Sequence, residues 1–374
     1  MNTKKLHIGI VGAGDFATFA IPAFLKVPGV KVIAVTDINK SAAEKMSSQY
    51  NLKICDNLEQ LLAMEKVDLV YISTPPFLHY IQSNMALLAG KHVICEKPAA
   101  LKTNQAEELT AIAKSNQLLY TVNLMQRYNL LFAIVNTIIK EKIIGNFLHG
   151  FFENYASDEK LNADHWFWDP SKSGGIFIEH GVHFFDLFSG WLGEGKIVNA
   201  LQLQRPGNKE KIIDRVQATV LYKNGVVNFY HGFNQPEILD RQEMRLQFEF
   251  GEITLCEWIP VKMKLHALLQ KNNLKKLPEI MGPDSIIQHN DLLEENKKPK
   301  GRFGEILFED HITIEYKNDS GKKNLYQQML TNMLSDQWNW IKDRKHMRVI
   351  DDSNAVQSLK IAEDANRLAQ NFNY

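Results

Sequence analysis

Two periodicities divide this chain. Up to about residue 122, short continuous apolar runs alternate with stretches whose apolar positions recur every three or four residues. Continuous runs suit strands buried on both faces, and the three-to-four spacing suits helices with one buried stripe. Ile8, Ile10 and Val11 predict a first strand that breaks at Gly12, and a helical pattern opens at Ala17 and runs through Ile21, Phe24 and Leu25. Val30 to Thr36 predicts a second strand, Ser41 to Tyr50 and Leu58 to Met64 predict helices, and Val67 to Ile72 predicts a strand stopping at Ser73-Thr74-Pro75-Pro76. A helix over 77–89 carries Ile81, Met85 and Leu88 on one face. His92 to Cys95 is the next strand, ending at Glu96-Lys97-Pro98; Thr103 caps a helix running to Lys114, and Leu118 to Val122 closes the series. Such alternation predicts an α/β, Rossmann-type doubly wound parallel sheet, whose ligands sit beyond the carboxyl ends of the strands. Thr74, Lys97 and Asn123 lie just past such ends.

Beyond this point apolar and polar residues alternate singly. Phe147 to Asn154, Ile197 to Arg205, Val216 to Tyr222, Val226 to His231, Met244 to Phe250 and Ile253 to Trp258 read as strands, several joined by tight turns. That pattern predicts an α+β domain with an open, mainly antiparallel sheet, one face covered. Residues 259–309 are lysine-rich, carry Gly282-Pro283 and Gly301, and show a weak helical stripe of Leu265, Leu268 and Leu269; they read as an insertion or flap between two sheet strands. His311 to Tyr316 is a last strand, followed by a helix with Leu325, Met329, Met333 and Trp340 and another from about Asn354 to Gln370. The expected division is 1–122 for the first domain and 123–374 for the second.

Composition narrows this little. Apolar residues at 45% and charged residues at 23% are ordinary globular values. Lys+Arg and Asp+Glu are both 43, so bulk charge asks for neither nucleic acid nor an anionic membrane. Cys55, Cys95 and Cys256 lie far apart without metal or disulfide spacing. Lys4 and Lys5 precede an apolar run that Asp15 interrupts, which reads as a cytoplasmic start rather than a signal peptide. No stretch approaches the roughly 18 unbroken apolar residues of a membrane span.

Candidate chemistry begins at Gly12-Ala13-Gly14-Asp15-Phe16-Ala17, a G-x-G-x-x-A turn between strand and helix. Gly12 allows the tight turn, Gly14 lets backbone approach a pyrophosphate, and Ala17 keeps helix and strand close. Asp37 ends the second strand 23 residues past Gly14, where a carboxylate accepts from a ribose 2′-hydroxyl and repels a 2′-phosphate. NAD is therefore expected as cofactor ahead of NADP.

Lys97 stands where a strand runs out over that cofactor, with Glu96 as a candidate anchor and Pro98 biasing it toward extended backbone. The bland alternative is a solvated surface lysine. In Ser173 to Asp186, helical geometry puts Glu179, His183 and Asp186 on one narrow stripe among apolar residues. His183 is a candidate proton acceptor, with Glu179 one turn earlier to orient it; the bland alternative is a core histidine satisfied by a neighbouring carboxylate. Glu179, His180 and His183 lack metalloenzyme spacing, since His180 points about 100° from Glu179 on a helix, and no metal is expected. Tyr155, Trp166, Phe167 and Trp168 offer aromatic faces for a sugar or simply core.

These pieces in this order resemble the glucose–fructose oxidoreductase/inositol dehydrogenase (Gfo/Idh/MocA) family. The resemblance rests on the glycine turn, Thr74-Pro75-Pro76-Phe77-Leu78-His79, Gly90 to Pro98, Val122 to Asn129 and Gly174 to His183. It implies NAD(P)-linked hydride transfer at a hydroxyl carbon of a sugar, cyclitol or related polyol. It implies Lys97 on the reacting hydroxyl, His183 as acid/base, Glu179 where the family usually has Asp, and Arg127 near the cleft; Trp166 and His180 are further candidates toward the substrate. Gly12, Gly14, Asp15, Phe16, Asp37, Thr74, Pro75, His79, Glu96 and Lys97 would line the cofactor. It implies a homodimer or homotetramer through the second-domain sheet, and no nucleic-acid or membrane partner. A hydrolase or lyase with tightly bound NAD and transient oxidation, or a non-catalytic dinucleotide sensor, remain the alternatives.

Overall fold

The computed structural model describes residues 5–158, 160–207, 211–282, 285–290, 300–301, 304–305 and 308–372; Lys4 and Pro283 lie outside them. The first half runs β1 (Leu6–Val11), α1 (Asp15–Phe24), β2 (Val30–Thr36), α2 (Lys40–Tyr50), β3 (Lys53–Ile54), α3 (Leu58–Leu62), β4 (Leu69–Ile72), α4 (Pro76–Leu88), β5 (His92–Cys95), α5 (Thr103–Ser115) and β6 (Tyr120–Val122). Among the described residues these strands form one parallel sheet in the order β3-β2-β1-β4-β5-β6. β4 is buried along its whole length, as its unbroken apolar run demands. The strand order reverses between β1 and β4, and the crevice beyond their carboxyl ends is where such sheets bind ligands. Thr103 is the first residue of α5 rather than its cap, and its N–H donates to Glu363.

The second half continues with α6 (Leu130–Lys140), β7 (Phe147–Tyr155), α7 (Pro170–Ser173), α8 (Val182–Leu192), β8 (Lys196–Gln204), β9 (Ile213–Tyr222), β10 (Gly225–Gly232), β11 (Arg241–Phe248), β12 (Gly251–Cys256), β13 (Lys262–Leu269), α9 (Lys271–Met281), β14 (Ser285–His289), β15 (Lys300–Gly301), β16 (Gly304–Glu305), β17 (Asp310–Lys317), α10 (Lys322–Lys342), α11 (Asp352–Leu368) and β18 (Gln370–Phe372). The large sheet has the order β14-β17-β13-β12-β11-β7-β10-β9-β8-β18, antiparallel except where β10 meets β7 and β18 meets β8. α8 lies on its covered face, with Phe184 stacked on Phe152 at 3.6 Å between centroids and Phe185 and Phe188 edge-on to Phe229 at 4.9 and 5.1 Å. Each fully buried ring of this kind contributes about 1.5–3 kcal/mol. The alternate residues, among them Phe151, Tyr155, Tyr230 and Arg245, sit on the other, partly exposed face.

Part of 259–309 is sheet rather than insertion or flap. Lys262–Leu269 is an interior strand of the large sheet, paired on both sides with β12 and β17. Met263, Leu265, Ala267 and Leu269 point inward and Lys262, Lys264 and His266 outward, so the period is that of a strand and not of a helical stripe. The terminal helices pack against the first domain. Gln327 and Thr331 of α10 donate to the carbonyls of Phe19 and Ala23 in α1, and Lys114 of α5 pairs with Asp352 of α11 at 2.8 Å. No helix among the described residues is long and apolar enough to cross a membrane.

Candidate active site

The glycine turn is shaped by backbone crowding. Gly12 has φ +94°, and a Cβ there would lie 2.6 Å from the Ser73 carbonyl oxygen, so only glycine fits between β1 and β4. At Gly14 a Cβ would meet nothing within 4 Å, and no side chain caps the amides of the following helix. Uncapped N–H groups and open approach are what a phosphate requires. Asp37 accepts from the Ala13 N–H and the Asn39 N–H, both at 2.6 Å, which ties the glycine turn to the end of β2. A carboxylate so held keeps lone pairs for ribose hydroxyls. These residues fit a dinucleotide. Asp15 is exposed beside the turn, and Phe16 is half-buried against Phe19 and Tyr326.

Beyond β4, Thr74 Oγ1 donates to Gln82 and Pro75 stands at the N-terminal cap of α4. His79, expected against the cofactor, is buried with its ring nitrogens 2.6 and 2.7 Å from the carbonyls of Pro98 and Thr74. It clamps the two loops that flank the cleft. Burial, the largest influence, and the nearby Lys97 lower its pKa.

Lys97 reaches across to the second domain. Its Nζ donates to the Glu179 carbonyl at 2.8 Å and to the Glu179 carboxylate. Glu96 is therefore not its anchor. The Glu96 side chain turns into the sheet, accepting from the Tyr71 hydroxyl and from Asn123 Nδ2 at 2.8 Å. Burial raises its pKa to about 7, against the lowering effect of those hydrogen bonds and of Lys97.

Glu179 and His180 belong to a π-helical stretch, Phe177–Gly181, that leads into α8. The regular stripe expected of Glu179, His183 and Asp186 is accordingly broken. Glu179 bonds Lys97 instead of orienting His183. His183 is 3% exposed, its Nδ1 is buried without a partner, and its ring stands edge-on to Trp258 at 5.2 Å. Burial first and the Lys97 charge second push its pKa well down, so it is neutral and close enough to feel the ammonium. Asp186, 1% exposed, is removed from the cleft altogether: both its oxygens accept from Arg127 at 2.8 Å. Arg127 also donates to the Asp186 carbonyl, so the expected substrate contact is an internal tie between the segment after β6 and α8.

His180 is half-buried, with its Nδ1 2.9 Å from Nδ1 of His231 on β10. Burial, then His231, Lys97 and His183, lower its pKa well below the ordinary value. Trp166 is partly exposed beside His165. Phe167 and Trp168 pack on Phe233, while Tyr155 faces the opposite side of the sheet against Tyr230. The aromatic cluster of the sequence is thus mostly packing. Among the described residues no group of three His, Cys, Asp or Glu could hold a metal ion. Asn123 was expected near the ligand from its place at a strand end, but Tyr71, His231, Trp258 and Tyr326 escaped the sequence reading as site residues. Each of these four lies in an otherwise ordinary strand, loop or helix, without a local signal.

The chain is similar to several known proteins. A dTDP-3,4-didehydro-2,6-dideoxy-alpha-D-glucose 3-reductase of Streptomyces antibioticus is 27% identical over 49% of this chain and 56% of its own. D-glucoside 3-dehydrogenase of Escherichia coli is 28% identical over 56% of this chain and 61% of its own. The chain spans about half the length of the curated relatives it matches. Among solved structures, the WlbA dehydrogenase from Bordetella pertussis, in complex with NADH and UDP-GlcNAcA, superposes with a TM-score of 0.78 at 16% identity over 98% of this chain and 97% of that one. A 3-ketoreductase from Actinomadura kijaniata in complex with NADP and TDP-benzene gives 0.76 at 16% identity over 99% and 100%. Those likenesses show the fold. The family's models, described as an oxidoreductase family with an NAD-binding Rossmann fold and as a GFO/IDH/MocA C-terminal domain, match residues 6–124 and 132–252, and the chain belongs to the Gfo/Idh/MocA oxidoreductase family.

Proposed function

We propose that this protein transfers a hydride reversibly between NAD and a hydroxyl carbon of a sugar, cyclitol or related polyol. The observation that carries the reading is Lys97, held on Glu179 across the two domains, with neutral His183 within reach of its charge. A bound nicotinamide supplies or accepts the hydride; the chain handles the proton and the charge. In the oxidising direction neutral His183 takes the hydroxyl proton, and Lys97 stabilises the negative charge developing on the oxygen. In reduction the same imidazolium returns the proton. Burial keeps His183 in the unprotonated form that a base requires, and Glu179 keeps the ammonium from swinging into solvent.

The expected result for Lys97→Ala and for His183→Ala is a loss of about 10²–10⁴-fold in NADH formation over a polyol and sugar panel. Turnover nearly unchanged in both variants ends this reading. Product without accumulating NADH points instead to transient oxidation. NAD is favoured over NADP by the Asp37 carboxylate at the ribose end of the cleft. The partly exposed sheet face that carries Tyr155, Tyr230 and Arg245 supports a homodimer or homotetramer of this chain, which native mass spectrometry reads directly.

A further inference from the structure

Among the described residues the ring of His231 has one polar contact, Nδ1 of His180, and is otherwise walled by the rings of Phe152, Phe184 and Phe185 at 5.1, 5.9 and 6.4 Å. It is 0% exposed, and its Nε2 has no hydrogen-bond partner among the described residues. The two imidazoles meet nearly at right angles, 85°, with 2.9 Å between their Nδ1 atoms. A neutral imidazole carries one N–H, and such a contact needs one proton between its two nitrogens. Only two arrangements satisfy this. If His180 donates, the proton of His231 is forced onto Nε2, a buried N–H with no acceptor. If His231 donates, only a lone pair is left unpaired at that position. Orphaned buried N–H groups are the rarer of the two in folded proteins.

We propose that His231 is a positioning residue: it donates from Nδ1 to His180 and so turns the outer Nε2–H of His180 into a hydrogen-bond donor aimed at the substrate. The proposal rests on the hydride-transfer reading for what that substrate is, but not for the tautomers themselves. His180 is fixed from its sides by Phe233, edge-on at 5.2 Å, and by Phe184 at 5.4 Å, so it has little freedom to turn away. The π-helical turn keeps it next to Glu179 on the wall that faces Lys97. With Lys97 and His183 engaged on the reacting oxygen, the His180 donor serves a second oxygen of the same molecule. The class selected is a ring with a hydroxyl or carbonyl oxygen at that position. An ammonium there would meet a donor and be rejected.

The full chain labelled with ¹⁵N-histidine gives the tautomers directly by long-range nitrogen–proton correlation, with His180→Gln and His231→Phe assigning the signals. The expected result is His231 protonated on Nδ1 and His180 on Nε2. His231 protonated on Nε2 overturns the proposal, whether or not any substrate is turned over, so its failure is distinct from that of the hydride-transfer reading. On a polyol that the protein does oxidise, His231→Phe is expected to raise KM about tenfold, the worth of one hydrogen bond, with kcat changed far less. His231→Asn, whose amide N–H can replace Nδ1–H, restores KM. An unchanged KM in His231→Phe, or no difference between Phe and Asn, also overturns it. Should the Phe variant not fold, the wild-type tautomers still decide.

Discussion

The parallel-sheet half and the antiparallel half meet at one cleft and bring opposite chemistry to it. The first delivers charge at strand ends: Asp37 after β2 and Lys97 after β5, each held by hydrogen bonds at its tip. The second delivers buried imidazoles, His183 in α8, His180 in the π-helical turn before it and His231 in β10, all with lowered pKa because burial disfavours their charged forms. A strand end leaves its last side chain at the rim of a crevice, where water and partners sustain a charge. A helix packed on a sheet offers no such support, so its titratable groups stay neutral. A proton acceptor thereby sits beside a cation without being protonated by the solvent at neutral pH.

This contrast breaks most severely at Arg127 and Asp186, the charged pair that the second half does bury. Arg127→Met is expected to destabilise the fold by about 3–5 kcal/mol, because it leaves the Asp186 carboxylate unpaired. Chemical denaturation measures that loss; a substrate-binding Arg127 would instead show a raised KM with normal stability.

Glu96 is the corresponding exception in the first half. Its folded pKa, about 7, lies above the ordinary 4.5, so the folded state holds the proton more tightly. That stabilisation is complete below pH 4.5 and is lost as pH rises to about 7. Glu96→Gln still accepts from Tyr71 and Asn123, and its stability at pH 8 should exceed that of the parent by about 3 kcal/mol, the excess vanishing in acid. An excess that is the same at both pH values contradicts the assigned cause.

The histidines act with the opposite sign. His231 is pushed from 6.5 down to about 3, so its stabilisation is complete above pH 6.5 and is lost as pH falls toward 3. By pH 5 it should account for about 2 kcal/mol of the acid destabilisation. His231→Phe should flatten the stability profile between those values by that amount, whatever its absolute stability. The smallest effect is expected at Asp37. Asp37→Asn keeps an acceptor for the Ala13 N–H but removes the charge, and should improve NADP binding relative to NAD by about tenfold, or about 1.4 kcal/mol. Titration of each cofactor measures it.

Much of the first domain was legible because each of its long elements obeys a local rule: unbroken apolar runs for strands buried on both faces, and a glycine turn whose strand and helix flanks are contiguous in sequence. Most alternating strands of the second domain were legible from their period of two; β14, β18 and β13 were not. In β13, Leu268 and Leu269, adjacent leucines on opposite faces, mimic a helical stripe, and only the pairing with β12 and β17 resolves the register. Helix α6 does carry a helical stripe, Leu131, Ile134, Val135 and Ile138, which the expected elements omit; the two-residue β3 carried too little periodic signal.

The sequence by itself determined where the glycine turn, Asp37 and Lys97 would stand, because a strand's end and the turn after it are set by neighbours a few residues away. Only the tertiary structure decided what those groups touch. Glu179 is 82 residues from Lys97 and becomes its partner through a π-helical turn that no spacing rule announces. His231 and His180, 51 residues apart, share a proton because a sheet strand and a helix approach pack them together. Local chain geometry fixes which way a backbone runs; the choice of partner for a buried charge or imidazole depends on the whole fold closing around it.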